Sequence, residues 1–323
     1  MRGIGDLLSL RMGLLAAAVL LAPPADAGPP DWAYPVNPPG FEPDKDDGSL
    51  RHVPDSGVAM TLTQTRDRFA TADWHPDEHP ALPDVVRQGR KPDVFACGWC
   101  HRATGAGGPE NANLTGLTVE YMRAQILAFR DGTRTTSEPK RVFYNLMIQL
   151  ARSISEEEIM DASRYFASLP YASIVTVVEA ADVPATRPAD WHMVVTPGGG
   201  REALGSRIIE IAEDNEQFTS RDSRARFIAY VPPGSIARGR ELAVSGGGER
   251  TVPCATCHGE DLRGKEPAPA IIGRSPTFIF RQLYDMRGGR RGGGNAQLMG
   301  PVVEHLTDED MIALAAYTAS LRP

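Results

Sequence analysis

Two short clusters hold all four cysteines of the chain, and they constrain its fold more than any other feature. Residues 97–101 read Cys-Gly-Trp-Cys-His, and residues 254–258 read Cys-Ala-Thr-Cys-His. Both have the form C-x-x-C-H, which is the attachment signature of c-type haem. The cysteines form thioethers to the haem, and the histidine binds the iron. We therefore expect two covalent haems c, with these residues involved: Cys97, Cys100, Cys254 and Cys257 in attachment, and His101 and His258 as proximal iron ligands.

Structural zinc is the alternative for the cysteine pairs, because C-x-x-C pairs also build zinc sites. Zinc sites usually bring two such pairs within a few tens of residues, whereas these pairs lie 157 residues apart. The histidine that directly follows each pair also favours haem.

The sequence around the clusters repeats, which predicts a duplicated domain. A shift of 157 residues superposes one set of equivalent residues: Gly116 on Gly273, Gln125 on Gln282, Arg130 on Arg287 and Arg134 on Arg291. After a five-residue difference in loop length, a shift of 152 superposes a second set: Met147 on Met299, Tyr165 on Tyr317 and Leu169 on Leu321. We expect one domain at residues 80–172 and the other at residues 231–323.

Each copy reads as a small helical unit. The first predicted helix starts near Ala81 in one copy and near Ser235 in the other. The middle helix covers residues 119–130 and 277–287, respectively. The final helix follows the caps Ser155 and Thr307. Glu158 and Asp310 lie three residues after these caps and complete capping boxes. The predicted fold class is mainly α, with two tandem domains joined by a connector that contains a few short strands.

Three segments lie outside the repeats. In residues 1–27, Arg2 and Arg11 precede an apolar run at residues 12–22, and small residues follow, so we expect a cleaved signal peptide. The run is about half the ~20 residues that span a bilayer, and no later stretch is long or apolar enough. We therefore expect export to the periplasm and no transmembrane segment in the mature chain. The exported protein is expected to be either free or held by a membrane complex.

The other two segments are an arm and a connector. Residues 28–79 are rich in proline and acidic residues and predict an irregular, partly disordered arm. Residues 173–230 form the connector, whose β-branched runs at 174–178, 193–196 and 207–211 predict strands.

Two methionines are candidates for the sixth iron ligand. Only Met147 and Met299, of ten methionines, take matching positions, each eight residues before a final cap in what we expect to be a loop. Arg134 and Arg291 follow the middle helices and are candidates for contacts to the haem propionates, with solvated arginines as the alternative. A metal site at His75 and His79 is the less favoured interpretation, and we expect both to face solvent.

Composition excludes some classes of function. The formal net charge of −7 argues against a nucleic-acid binder, which needs a basic face. With 41% apolar and 23% charged residues, the chain can bury globular cores.

With these motifs in view, the chain resembles the class I dihaem c-type cytochromes, tandem proteins of the cytochrome c4-like kind. The resemblance rests on both C-x-x-C-H motifs, on Leu298-Met299-Gly300-Pro301 and on the closing run at residues 315–321. It implies helical domains, His/Met ligation and electron transfer between a dehydrogenase or quinol-oxidising complex and a terminal oxidase. In this family a proline carbonyl commonly supports the proximal histidine, and Pro269 matches that position, whereas the first copy has Ala112.

An electron carrier rather than an enzyme is therefore the favoured function, alone or as a subunit of an oxidoreductase complex. The main alternative is a dihaem peroxidase with one open haem site, which requires an iron without a strong sixth ligand and a nearby acid or base. A haem sensor or assembly subunit is a third hypothesis.

Overall fold

Two helical modules flank a small β-rich connector in the computed structural model, which describes residues 28–323. The predicted signal peptide at residues 1–27 lies outside the described residues. The helices are α1 (Leu62–Arg66), α2 (Asp84–Arg87), α3 (Cys97–His101), α4 (Val119–Arg130), α5 (Val142–Ser153), α6 (Glu156–Ser168), α7 (Asn215–Thr219), α8 (Ser235–Ser245), α9 (Ala255–His258), α10 (Pro276–Arg287), α11 (Gly300–Val303) and α12 (Asp308–Ser320). The strands are β1 (Val175–Glu179), β2 (Asp182–Pro184), β3 (Thr186–Ala189), β4 (His192–Val195), β5 (Arg201–Ala203), β6 (Ile209–Ala212) and β7 (Phe227–Val231).

The final helix of each module begins at the predicted cap. Ser155 Oγ accepts a hydrogen bond from Glu158 N at 3.2 Å, and the Glu158 carboxylate accepts one from Ser155 N at 2.8 Å. Thr307 and Asp310 make the same reciprocal pair, at 3.2 Å in both directions. Each box satisfies amide groups that the helix leaves unpaired, so α6 and α12 start at defined residues.

In the second module, α8 crosses α12 at very short range. Gly239 lies at the crossing, where a Cβ atom would stand 1.9 Å from the carbonyl oxygen of Ala313. Leu242, Met311 and Ala315 are fully buried around this contact. The first module has a shorter counterpart of α8, because α2 is confined between Pro83 and Gly89, which has a φ of +62°.

The connector is more regular than its sequence indicates. The three predicted strands are present as β1, β4 and β6, each within two residues of the predicted bounds, whereas β2, β3, β5, β7 and α7 were not predicted. Strand β7 is central in a three-stranded sheet, parallel to β1 and antiparallel to β6. Its neighbours satisfy the backbone on both edges, so the connector is a packed element rather than a spacer.

The N-terminal arm is irregular, apart from α1 and a 3₁₀ turn at Pro76–Glu78, and parts of it are packed, whereas residues 42–50 are exposed. Trp32, Ala33 and Tyr34 are buried within the core of the second module. Val53 and Trp74 are buried in a separate small cluster. The arm therefore runs along both modules. Among residues 28–323, no helix has the length and apolar character that crossing a membrane requires.

Candidate functional site: two C-x-x-C-H segments on one cavity

Each of the two motif histidines is oriented by a backbone carbonyl. His101 Nδ1–H donates to Ala112 O at 2.8 Å, and His258 Nδ1–H donates to Pro269 O at 2.7 Å. The first copy has Ala112 in place of proline, yet the hydrogen bond to the histidine is present. The acceptor is a backbone carbonyl, which every residue type has. Burial lowers the pKa of both His101 and His258, which favours neutral rings. Each Nε2 is left as a ligand atom.

The four cysteines are not paired in disulfides. Burial raises the pKa of the Cys97 thiol to about 12 and that of Cys254 to about 11. Such thiols are poor thiolate donors to a metal at neutral pH. Within residues 28–323, no group of three or more His, Cys, Asp or Glu side chains is arranged to hold a metal ion, so the zinc alternative lacks a four-ligand site.

A single cavity of about 710 Å³ connects the two motifs. All ten residues predicted as haem attachment, iron ligands or propionate contacts line it: Cys97, Cys100, His101, Arg134, Met147, Cys254, Cys257, His258, Arg291 and Met299. The structure therefore brings both predicted sites together. The volume of this cavity lies in the upper part of the range found for cofactor and ligand sites in proteins.

The predicted loop position of Met147 is wrong. Met147 lies within α5, whose residues Val142, Leu146 and Leu150 recur at helical spacing and pack on the core of the first module. The five residues by which the first copy is longer lie between Arg134 and Met147, a stretch that is irregular up to residue 141 and helical from Val142. Met299 ends a 3₁₀ turn at Ala296–Met299, directly before α11, and so does occupy an irregular segment.

Arg134 and Arg291 meet where the two modules join. Arg134 donates to Gln125 Oε1 at 2.8 Å and to Gln282 Oε1 at 3.0 Å, and Arg291 donates to the Tyr121 hydroxyl at 2.7 Å. These partners are neutral, so two positive charges face the cavity without a carboxylate hydrogen-bonded to them. Burial and the charge of Arg291 lower the pKa of Arg134 to about 10. The solvated-arginine alternative is wrong for Arg134, which is 9% exposed.

The prediction that His75 and His79 face solvent is also wrong. Their side chains are each 3% exposed, and each Nε2 lies 3.1 Å from a carboxylate oxygen, of Asp222 and Asp73 respectively. No sequence pattern indicates the first pair, because Asp222 is 147 residues away from His75, whereas Asp73 lies only six residues before His79.

Comparisons with known proteins agree with this geometry. The family model described as cytochrome c matches residues 236–322. Cytochrome c-554(548) of Halomonas halodenitrificans is 40% identical over 75 residues, which are 23% of this chain and 90% of that protein. The chain belongs to the cytochrome c family. Such cytochromes bind haem c covalently, and the two motifs give this chain two haems.

Longer matches extend over both copies of this cytochrome. The thiosulfate dehydrogenase electron acceptor of Thiomonas intermedia is 25% identical over 233 residues, or 71% of this chain and 80% of that protein. Cytochrome c4 of Pseudomonas aeruginosa is 22% identical over 230 residues, or 70% and 83%. The resemblance to tandem dihaem cytochromes of the c4-like kind, with a mainly helical fold, is confirmed.

The cavity fits haem on polar as well as apolar grounds. Within residues 28–323, the side-chain atoms Tyr144 Oη, Glu110 Oε2 and Arg291 Nε are buried without a hydrogen-bond partner, and all three residues line the cavity. Buried polar groups in proteins are normally satisfied, so these atoms indicate a polar ligand beside them. Haem propionates would accept hydrogen bonds from Tyr144 Oη and Arg291 Nε, although not from the Glu110 carboxylate, which is itself an acceptor, and the haem has a large apolar face.

Proposed function

We propose that this cytochrome is an exported dihaem electron carrier that accepts electrons from a dehydrogenase and shares them between its two haems. The single observation that carries the proposal is the continuous cavity on which both C-x-x-C-H segments lie. Two redox groups in one cavity exchange electrons over a short path within the protein. Haem supplies a reversible one-electron Fe(III)/Fe(II) couple.

The motif residues have separate roles in this proposal. Cys97 and Cys100 hold the first haem by thioether bonds, and Cys254 and Cys257 hold the second. His101 and His258 are the proximal ligands, and the carbonyl acceptors at residues 112 and 269 fix the orientation of their rings.

Met147 and Met299 are the proposed sixth ligands. A thioether is a soft, neutral donor that favours Fe(II) and raises the potential of a histidine-ligated haem. Both methionines line the cavity with the histidine of their own copy. If His101 with Met147 and His258 with Met299 held the two irons, neither iron would be open to a substrate, which favours a carrier over a peroxidase.

Arg134 and Arg291 are the proposed partners of the haem propionates. Their hydrogen-bond partners are neutral, so anionic propionates would neutralise the buried Arg134 and the half-buried Arg291. The neighbouring residues Tyr121, Gln125 and Gln282 hold the guanidinium groups in place.

The proposed donor is suggested by the relatives, and the proposed compartment by the predicted signal peptide at residues 1–27. Two of the relatives that cover most of this chain are named as thiosulfate dehydrogenase electron acceptors, and another is named as the cytochrome subunit of a sulfide dehydrogenase. We therefore place the protein in the periplasm as the acceptor of a dehydrogenase. Purification from native membranes with identification of bound proteins tests this: a dehydrogenase partner supports it, and a quinol-oxidising complex or terminal oxidase as the only partner contradicts it.

Covalent attachment is tested by acid–acetone extraction of protein made with a haem-maturation system. We expect two haems to stay with the polypeptide, and their release into the solvent would refute the assignment. Replacing Cys254 and Cys257 with alanine should remove one haem and leave the other.

The sixth ligands are tested by Met147→Ala and Met299→Ala. Each variant should keep both haems but open one iron to carbon monoxide and lower its potential. Met160→Ala is the matched control, because Met160 lies in α6 and does not line the cavity. A variant with two carbon-monoxide-resistant irons and unchanged potentials would exclude that methionine as a ligand. Rapid turnover of hydrogen peroxide by the unaltered protein would favour the peroxidase alternative.

A further inference from the structure

The two C-x-x-C-H segments differ sharply in exposure. In the first segment Gly98, Trp99 and Arg102 are buried, and so is most of the chain that follows, up to residue 109. In the second segment Thr256 and Cys257 are exposed, as is much of the chain from residue 260 to residue 267. Equivalent positions of the repeat therefore face protein in one copy and solvent in the other.

Arm and connector together cover the first segment. We name this cover the sheath, which consists of arm residues 68–75 and connector residues 214–224. Arg221 donates to Trp99 O at 2.8 Å and lies over the indole ring, with its Cζ atom 3.9 Å from the ring centroid. Gly98 faces Thr71 so closely that a Cβ atom on residue 98 would stand 2.4 Å from Thr71 Oγ1. No space for a partner protein remains at this segment.

Buried polar contacts lock the two halves of the sheath together. Trp74 Nε1 donates to Ser220 O at 2.7 Å, and His75 Nε2 lies 3.1 Å from Asp222 Oδ1. Gln217 Nε2 donates to the other oxygen of Asp222 at 2.7 Å. Because breaking buried hydrogen bonds is costly, the sheath stays closed under native conditions.

The second segment is surrounded by exposed apolar side chains instead. Leu298 is 63% exposed and Val252 is 39% exposed, and both line the wall of the cavity. Val252, Thr256, Cys257 and Leu298 carry no charge, and the exposed charged residues that follow the motif, Glu260, Asp261, Arg263, Lys265 and Glu266, are of both signs and sum to −1. An exposed apolar surface around a functional opening is typical of a protein interaction site.

We propose that electrons enter and leave this protein at the surface around the second C-x-x-C-H segment, and not at the first. The docking surface consists of Val252, Thr256, Cys257 and Leu298. Its occupant is a redox protein whose own cofactor opening is ringed by uncharged, apolar side chains, because the four residues of the docking surface offer apolar contact and carry no charge. This inference rests on the proposed electron-carrier function and adds to it which haem exchanges electrons with the partner.

Access to each haem is measured by NMR on the holoprotein with a neutral gadolinium chelate as the probe. Haem methyl signals are assigned by nuclear Overhauser contacts to Phe166 in the first module and Leu314 in the second, since both line the cavity. We expect the chelate to broaden the methyl signals of the second haem several-fold more than those of the first. Equal broadening, or stronger broadening of the first haem, would overturn the inference while leaving the carrier function intact.

The chemistry of the docking surface is measured by voltammetry of protein films on gold. Films on methyl-terminated monolayers should transfer electrons reversibly, with a rate that changes less than about twofold between low and high salt, since the docking surface itself holds no charged side chain for salt to screen. Leu298→Asp should lower that rate by about tenfold. The matched control is Leu50→Asp, on the arm, since Leu50 is 60% exposed and does not line the cavity.

Visible spectra of both variants, with unchanged haem bands, confirm that each remains folded. Equal losses in the two variants, or reversible films only on carboxylate- or amine-terminated monolayers, would contradict an apolar docking surface. The absence of any reversible haem couple in the unaltered protein would instead refute the proposed function, so the two failures are distinguishable.

Discussion

Replacing Gly239 with alanine tests the helix crossing that forms the second module. The added Cβ atom would stand 1.9 Å from Ala313 O and 2.7 Å from Tyr317 Cβ, whereas real Cβ atoms essentially never approach within 3.0 Å of another heavy atom. The oxygen belongs to the backbone of α12, so no side-chain rotation relieves the overlap. Helices α8 and α12 must therefore separate by about 1.1 Å.

The expected loss of stability combines two opposing effects. Overpacking of a well-packed core costs about 1–3 kcal/mol, and a backbone obstacle places this site near the upper end. Alanine is favoured over glycine inside a helix by about 1 kcal/mol. We therefore expect a net loss of about 2 kcal/mol in the free energy of unfolding, or about 4–8 °C in Tm.

Guanidinium titration of the holoprotein, followed by circular dichroism, measures this loss. Gly57→Ala is the control, because Gly57 is exposed and nothing lies within 4 Å of a Cβ atom there. Gly239 lies within α8, whereas Gly57 lies outside any helix, so the control measures only the effect of adding a methyl group where there is space for it. A Gly239→Ala variant within about 0.5 kcal/mol of the unaltered protein would refute the close crossing.

Two further predictions concern the sheath and the first capping box. His75→Ala should lower the free energy of unfolding by about 1–3 kcal/mol, because it removes a buried partner of Asp222. The control is His52→Ala, at an exposed residue, which should change the free energy of unfolding by less than about 0.5 kcal/mol. Denaturant titration of both variants measures the difference. Hydrogen bonds from Arg90 hold the pKa of Glu158 below its usual value, so this pair stabilises the fold above about pH 4.3 and loses its effect as the pH falls through the lowered pKa. The advantage of the unaltered protein over Glu158→Gln, about 0.5–1 kcal/mol at pH 7, should therefore shrink towards pH 3, and an advantage that is constant with pH would contradict the pairing.

Local signals in the sequence sufficed for the middle and final helices of both modules, but not for α5. Ser155 and Thr307 cap their helices with side-chain hydrogen bonds to residues three positions away. Contacts between residues so close in the sequence can be predicted from the sequence alone. The motif histidines were equally legible, since C-x-x-C-H is contiguous. Ala112 illustrates the limit, because its contribution is a backbone carbonyl, which no residue type reveals.

Long-range packing could not be read in the same way. The partner of His75 is in the connector, and burial of both residues depends on a contact between segments that the repeat does not contain. Strand β7 has a visible apolar run, but its central place depends on pairing with β1, about fifty residues earlier. For Met147, comparison with the second copy favoured a loop, while the apolar spacing around it favoured the helix that forms.

The junction between the modules is built from equivalent residues of the two copies. Arg134 and Arg291 pair through a backbone bridge, and each reaches the glutamine of the opposite copy, Gln282 at 3.0 Å and Gln125 at 3.5 Å. Such reciprocal contacts define an approximate twofold axis, as in a symmetric homodimer. A single-module ancestor that paired with its own twin would already have possessed this interface. Fusion of the twins makes their association independent of concentration, and it leaves each half free to acquire its own surroundings.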